Sequence, residues 1–178
     1  MSFWKKPTPA AKIPERVAPR PRVFVPESVL AKTEHLIAST HEHEEVVYWA
    51  GLEGPHGIVA VSALAPEADT TYGSFDTTAV SNAVAIQWAA SRGLGIVAQL
   101  HCHPDHRVGH SRGDDLGALM PYENFLSIVV PHYGTSGMGD FQTSGVHRYE
   151  HGRFRRLTSD EVTATIVVVP TAASFRGP

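Results

Sequence analysis

The 178-residue sequence holds a single cysteine. That excludes an internal disulfide and any zinc site built on several cysteines. It also lacks a surplus of positive charge. The formal net charge of −3 argues against a general nucleic-acid binder, which carries a strong basic excess. No apolar run approaches the roughly 20 residues of a membrane span. The N-terminus lacks the apolar core of a secretory signal, so a cytoplasmic protein with no membrane partner is expected.

A hydrophobic content of 42% is enough for a real core, and the length suits one domain. Residues 1–22 stand apart. Pro7, Pro9, Pro14, Pro19 and Pro21 break regular structure, and Lys5, Lys6, Lys12, Arg16, Arg20 and Arg22 make the segment basic. A flexible Pro-rich tail is expected there, with Phe3 and Trp4 leaving a docking arm open as the other reading.

From Val23 the pattern is globular. "RVFV" suggests a strand, and "PESVLAKTEHLIAST" a helix with Val29, Leu30, Thr33, Leu36 and Ile37 at helical spacing. "EEVVYWAGL" reads as a strand stopped at Gly51, and "GIVAVSALAP" as another. A loop, "EADTTYGSF", leads to a helix over "DTTAVSNAVAIQWAASRG". Val80, Ala83, Val84, Gln87 and Trp88 trace a face of it, with Asp76 or Thr77 as N-cap and Gly93 as C-cap. "LGIVAQLHCH" and "NFLSIVVPHY" read as strands separated by a short helix, "SRGDDLGALM". A hairpin turns at His151–Gly152, and "TATIVVVP" reads as a last strand or a short helix and strand. There is no internal repeat. Interleaved strands and two or three helices indicate a mixed α/β domain.

The chemistry concentrates in "LHCHPDHRVGHSRGDD", residues 100–115. His101 and His103, two apart at a strand end, point to one face, and two imidazoles so placed can converge on one ion. Cys102 between them points to the other face. As a nucleophile it would need a nearby histidine, and its neighbours point away; packing is the expected role. Pro104 ends the strand pairing. Asp114 supplies a carboxylate, and a His–His–Asp set leaves a fourth position for water, the composition of a catalytic zinc site. "SRGD" is also a capping box, Ser111 at N-cap and Asp114 at N3. The two roles are compatible. His106 and His110 are expected to be solvated loop residues.

The string H-x-H-P, six residues, S-x-x-D resembles the JAMM motif of the MPN+ zinc metalloproteases, the deubiquitinases and their bacterial relatives. The resemblance implies a cytidine-deaminase-like MPN fold, a curved mixed sheet packed against helices, over residues 23–158. Residues 159–178 are left as a C-terminal strand and tail. It implies Zn²⁺ held by His101, His103 and Asp114. It implies a glutamate base seven residues before a strand glycine, which falls on Glu44, with Glu45 and Glu42 as neighbours; "VVYWA" departs from the family's tract there. Ser111 would hydrogen-bond the oxyanion. The implied reaction is hydrolysis after the C-terminal glycine tail of a ubiquitin-like modifier, as in a bacterial, deubiquitinase-like isopeptidase. The implied partners are that modifier or its conjugates, and enzymes of the matching conjugation system. Residues 66–75 are the candidate lining of the groove. A metal-free MPN scaffold, or a hydrolase of a short peptide or sulfur-carrier adduct, remain the alternatives.

Overall fold

A computed structural model describes residues 20–119, 121–139 and 141–171. Most of the expected 1–22 tail therefore lies outside the described residues. Its last three residues do not hang free. Arg20 pairs with Glu150 at 3.2 Å and Glu161 at 3.1 Å, and the Arg22 carbonyl accepts the Ile58 amide at 2.7 Å.

The strands are β1 (Val23–Pro26), β2 (Val46–Gly54), β3 (Gly57–Leu64), β4 (Ala68–Thr71), β5 (Ser74–Thr77), β6 (Gly95–Cys102), β7 (Leu126–Val130), β8 (Gly145–Glu150), β9 (Arg153–Arg156) and β10 (Ile166–Val169). The helices are α1 (Glu27–Ile37), α2 (Ala79–Ala90), α3 (Arg112–Gly117) and α4 (Ser159–Thr165). Eight strands form one mixed sheet in the order β10-β1-β3-β2-β6-β7-β8-β9, and β4 and β5 form a separate hairpin. Pairs β1–β10, β1–β3 and β6–β7 are parallel. Among the described residues this is the expected mixed α/β architecture, a large mixed sheet packed against helices. After residue 158 come α4 and then β10, which supplies the expected C-terminal strand and pairs beside β1; the expected tail past residue 171 lies outside the described residues.

Strand alternation divides the sheet into two faces. On one, Val47, Trp49, Leu100, Cys102 and Val130 pack with Val29, Leu30 and Ile37 of α1. The Trp49 indole donates to Thr33 Oγ1 at 2.8 Å, which ties α1 to the sheet. On the other, Val46, Tyr48, Ala50, Ile96 and Phe125 pack with Ala85 and Ala89 of α2. The charge-free α2 buries Ser81, Ala85 and Ala89, while Val80 and Val84 of the expected face are 74% and 60% exposed. Its N-cap is Thr78, one residue beyond the expected pair, because the Thr78 hydroxyl reaches the Ser81 amide at 3.0 Å. Its C-cap is Ser91, two residues before Gly93.

Gly51 does not end β2. The strand runs on to Gly54, and Gly51 sits where the register with β3 shifts; a Cβ there would overlap the Val59 carbonyl. The loop expected before α2 is instead the β4–β5 hairpin. Its polar sequence lacks the apolar alternation that marks a half-buried strand.

The far end of the sheet is closed by charge. Glu150 accepts from Arg155 at 2.9 Å and lies 3.7 Å from buried Arg148, while Glu161 accepts from Arg155 at 2.9 Å. Arg155 holds both carboxyls below their usual range, Glu161 down to about 2. A lowered carboxyl stabilises the fold above its unfolded value, 4.5, and loses that contribution as pH falls toward about 2. Thermal melts of Glu161→Gln should therefore lie below wild type at pH 7 and converge with it near pH 2. A constant offset at both pH values would contradict this.

Candidate metal centre

The site forms where β6 ends. Pairing of Val46 with His101 brings Glu44, two residues back, opposite His103 on the α2 face. His101 is fully buried, with its ring 5.1 Å from that of Phe75. His103 follows the strand. Its amide donates to Val130 at 2.8 Å, and its carbonyl accepts from Tyr133 at 2.9 Å. His103 Nδ1 donates to the Arg107 carbonyl at 2.8 Å, which leaves Nε2 with its lone pair free toward His101.

Asp114 arrives from the other side on α3. The capping box forms as the spacing predicts: the Asp114 amide donates to Ser111 Oγ at 3.1 Å, and Asp114 Oδ2 accepts the Ser111 amide at 2.6 Å. Asp114 is also the buried residue of this otherwise exposed helix. Its Oδ1 lies 3.4 Å from His101 Nε2 and its Oδ2 lies 3.6 Å from His103 Nε2, and the two imidazole Nε2 atoms are 3.2 Å apart.

Those three separations test the fit of an ion. A tetrahedral ion with bonds of about 2.0–2.1 Å holds its ligand atoms about 3.3–3.4 Å apart. The two imidazole nitrogens stand 3.2 Å apart, near that edge, and each faces one of the two Asp114 carboxylate oxygens at 3.4 and 3.6 Å, so His101, His103 and Asp114 form a candidate metal group. The electrostatics agree. Burial works to raise the Asp114 carboxyl, but the neighbouring His101 and His103 overcome it and hold it far below the usual carboxylate range. Burial lowers His101. Asp114 thus stays anionic and His101 favours its neutral, ligating form.

Glu44 is buried in the same cleft, at 5% exposure, and lines it with His103, Asp114 and Ser111. Burial, with smaller contributions from Asp114 and Asp105, pushes its carboxyl up to about 7 against the pull of His103. Of its neighbours, Glu42 is exposed, and Glu45 turns its amide to Cys102 Sγ at 3.1 Å. The hairpin covers this corner. The Glu44 amide donates to the Thr71 carbonyl at 2.8 Å, and the Tyr133 hydroxyl donates to the Tyr72 carbonyl at 2.7 Å. Ser111 is exposed at the cleft wall; its oxygen accepts the Asp114 amide, so its hydroxyl proton remains free to donate.

Cys102 is fully buried on the opposite face, and burial pushes its thiol up to about 12. It packs, and supplies no thiolate. His106 is exposed, as expected of a loop residue. His110 departs from that expectation. Its side chain is only 6% exposed, bonded at both ring nitrogens and stacked at 4.0 Å on His147. Apart from Asp115, nothing in the local sequence signals this, since Ser127 and His147 lie on β7 and β8.

Gly145 on β8 lets this loop lie close, because a Cβ there would overlap the Val108 carbonyl. Gly145→Ala should push the 104–110 loop outward, at about 1–3 kcal/mol of stability. Chemical denaturation would check it; an unchanged midpoint would mean the loop does not rest on β8 in solution.

No protein-family model matches the chain. It is 30% identical over 95 residues to the probable metalloprotease y4jG of Sinorhizobium fredii, a match covering 51% of this chain and 58% of that protein. That likeness joins a JAMM motif whose separated residues converge on one three-ligand centre. The chain is thus similar to a probable metalloprotease over just over half of that protein's length, and its motif resembles that of the JAMM/MPN family. The chain also shares its fold with a protein of Desulfitobacterium hafniense, at a TM-score of 0.63 and 9% identity over 83% of this chain and 93% of that one. A JAB1/MPN domain protein of Archaeoglobus fulgidus aligns at a TM-score of 0.49 and 11% identity, over 83% of this chain and 98% of its own. Among the described residues, no helix is long and apolar enough to cross a membrane.

Proposed function

We propose that this chain is a zinc-dependent peptidase of the isopeptidase type, which hydrolyses the bond after the C-terminal glycine tail of a ubiquitin-like modifier. The observation that carries the reading is the meeting of Glu44 with His103 and Asp114, two residues of the three-ligand centre, in one cleft. The donor set and its spacing suit zinc, and His101, His103 and Asp114 would hold it. When bound, zinc supplies Lewis-acid activation of water and of the scissile carbonyl.

The remaining roles fall to the chain. Glu44, with a carboxyl near neutrality, takes a proton from the attacking water and passes it to the leaving amine. The Ser111 hydroxyl donates to the carbonyl oxygen as negative charge develops there. A second cleft of about 580 Å³ leads away from Glu44 and Asp114 between β5 and α3, lined by Phe75, Asp76 and Thr77. β5 pairs with β4 alone among the described strands, so its other edge can take an extended tail by strand addition. Residues 66–75, through the hairpin tip, contribute one wall of this groove.

The test is incubation of the zinc-loaded protein with the ubiquitin-like proteins encoded beside its gene, each carrying a C-terminal extension, followed by mass spectrometry. Cleavage after the terminal glycine is the expected result. Intact modifiers with zinc bound would point to a short-peptide substrate, and failure to bind stoichiometric zinc would point to a non-catalytic scaffold.

A further inference from the structure

The helix that carries Asp114 is poorly equipped to hold itself in place. α3 has six residues, includes Gly113 and Gly117, and exposes every residue but Asp114; Leu116 is 77% exposed. Isolated helices of this length are unstable, and helices in proteins are normally held by an apolar face. α3 has no such face. Yet the centre needs the Asp114 carboxylate fixed to within a few tenths of an ångström.

The sheet beneath supplies polar anchors instead. Register pairs Gln99 of β6 with Ser127 of β7, and Ser127 with His147 of β8, so the three side chains stand in a row on the face toward α3. All three are buried. One end of the helix segment ties to this row through Leu119, whose amide donates to Gln99 Oε1 at 2.9 Å. The other end ties through His110, the residue before the N-cap. His110 Nδ1 donates to Asp115 Oδ1 at 2.8 Å, and Nε2 accepts the Ser127 hydroxyl at 2.9 Å. Its ring lies between His147 at 4.0 Å and Phe154 at 4.7 Å, and 6.2 Å from that of His101.

The chain Asp115–His110–Ser127 has the atom order of a hydrolytic triad. Ser127 is fully buried and cannot meet a substrate, so that role is excluded. What the chain does do is link α3 itself, through Asp115, to the strand next to the one bearing His101.

We propose that His110 is a positioning residue of the metal centre: bridging Asp115 of α3 to Ser127 of β7, it sets the place of α3 and so the reach of Asp114 to the ion. This rests on the metal-site reading above. Partners one step out from metal ligands are worth about 10–100-fold in affinity.

The experiment compares wild type with His110→Ala, Ser127→Ala and the conservative His110→Gln. Zn²⁺ affinity is measured by chelator competition, the visible spectrum is recorded on the Co²⁺-substituted proteins, and the melting temperature on the apo forms. We expect His110→Ala and Ser127→Ala to lose about 10–100-fold in affinity. Their Co²⁺ bands should weaken as the carboxylate is lost, with apo melting close to wild type. Glutamine, which can still reach Ser127, should recover part of the affinity. Should His110→Ala fail to fold, Ser127→Ala decides alone. Wild-type affinity and spectrum in the variants, or a loss of affinity matched by an equal fall in apo stability, overturns the proposal. If wild type itself binds neither ion, the metal-site reading fails instead.

Discussion

Glu44→Gln should leave the metal in place and lower peptide-bond hydrolysis by about 10²–10⁴-fold, the worth of a positioned general base. Glu44 shares the cleft with the ligand residues His103 and Asp114 but is not itself one of the three. Glutamine matches its shape and keeps the backbone bond to Thr71, so the hairpin should stay seated. A second outcome follows from its titration. The folded carboxyl, at about 7, lies above its unfolded value of 4.5. The unfolded chain therefore sheds this proton first, and the apo protein loses stability as pH rises from 4.5 through about 7. Glutamine carries no such cost. The apo variant should melt above wild type at pH 8 and equal to it near pH 4.5. Wild-type turnover in the variant would remove Glu44 from the mechanism; a melting gain independent of pH would remove the buried-carboxyl account.

Asp114 should show the largest loss of metal. Asp114→Ala removes one of three ligands and should lower zinc affinity by more than the ~10–100-fold that follows loss of a partner one step out. Hydrolysis should go with it. The same change also breaks the capping box, at about 1 kcal/mol of helix stability. Asp114→Asn separates these effects. Its amide oxygen can still accept the Ser111 amide, but it lacks the anionic charge that faces His101 and His103. The asparagine variant should therefore melt close to wild type in the apo state and still bind zinc poorly. Full zinc occupancy in both variants, by elemental analysis after gel filtration, would show that Asp114 is no ligand.

The two predictions differ in how far each residue could be placed from sequence. The His101–His103 pair needs only a strand end, because a period of two puts both rings on one side whatever surrounds them. Asp114 needs only the capping box, which is closed within four residues. Both are local, and local geometry is legible. Glu44 is different. Three glutamates crowd residues 42–45, and the register of β2 against β6, together with burial, singles out one of them.

The elements that differ from expectation share a cause. The β4–β5 hairpin has almost no apolar signal, since only Ala68 and Phe75 of its two strands pack on the core. α2 was legible as a helix, but its buried side is small residues, Ser81, Ala85 and Ala89, selected by close approach to the sheet rather than by hydrophobicity. β2 runs past Gly51 because β3 pairs with it through the bulge.

By itself, then, the sequence determined what short-range geometry can carry: the paired histidines, the carboxylate of the capping box, the cysteine turned to the other face and the mixed α/β order. The tertiary structure decided what depends on distant strands meeting. It chose Glu44 and laid the hairpin over it. It also turned His110 from a loop residue into a buried link between α3 and β7. The physical reason is the same in each case. A spacing of two to four residues constrains direction through the backbone alone, whereas burial and hydrogen bonding across the sheet are set by neighbours that no local pattern names.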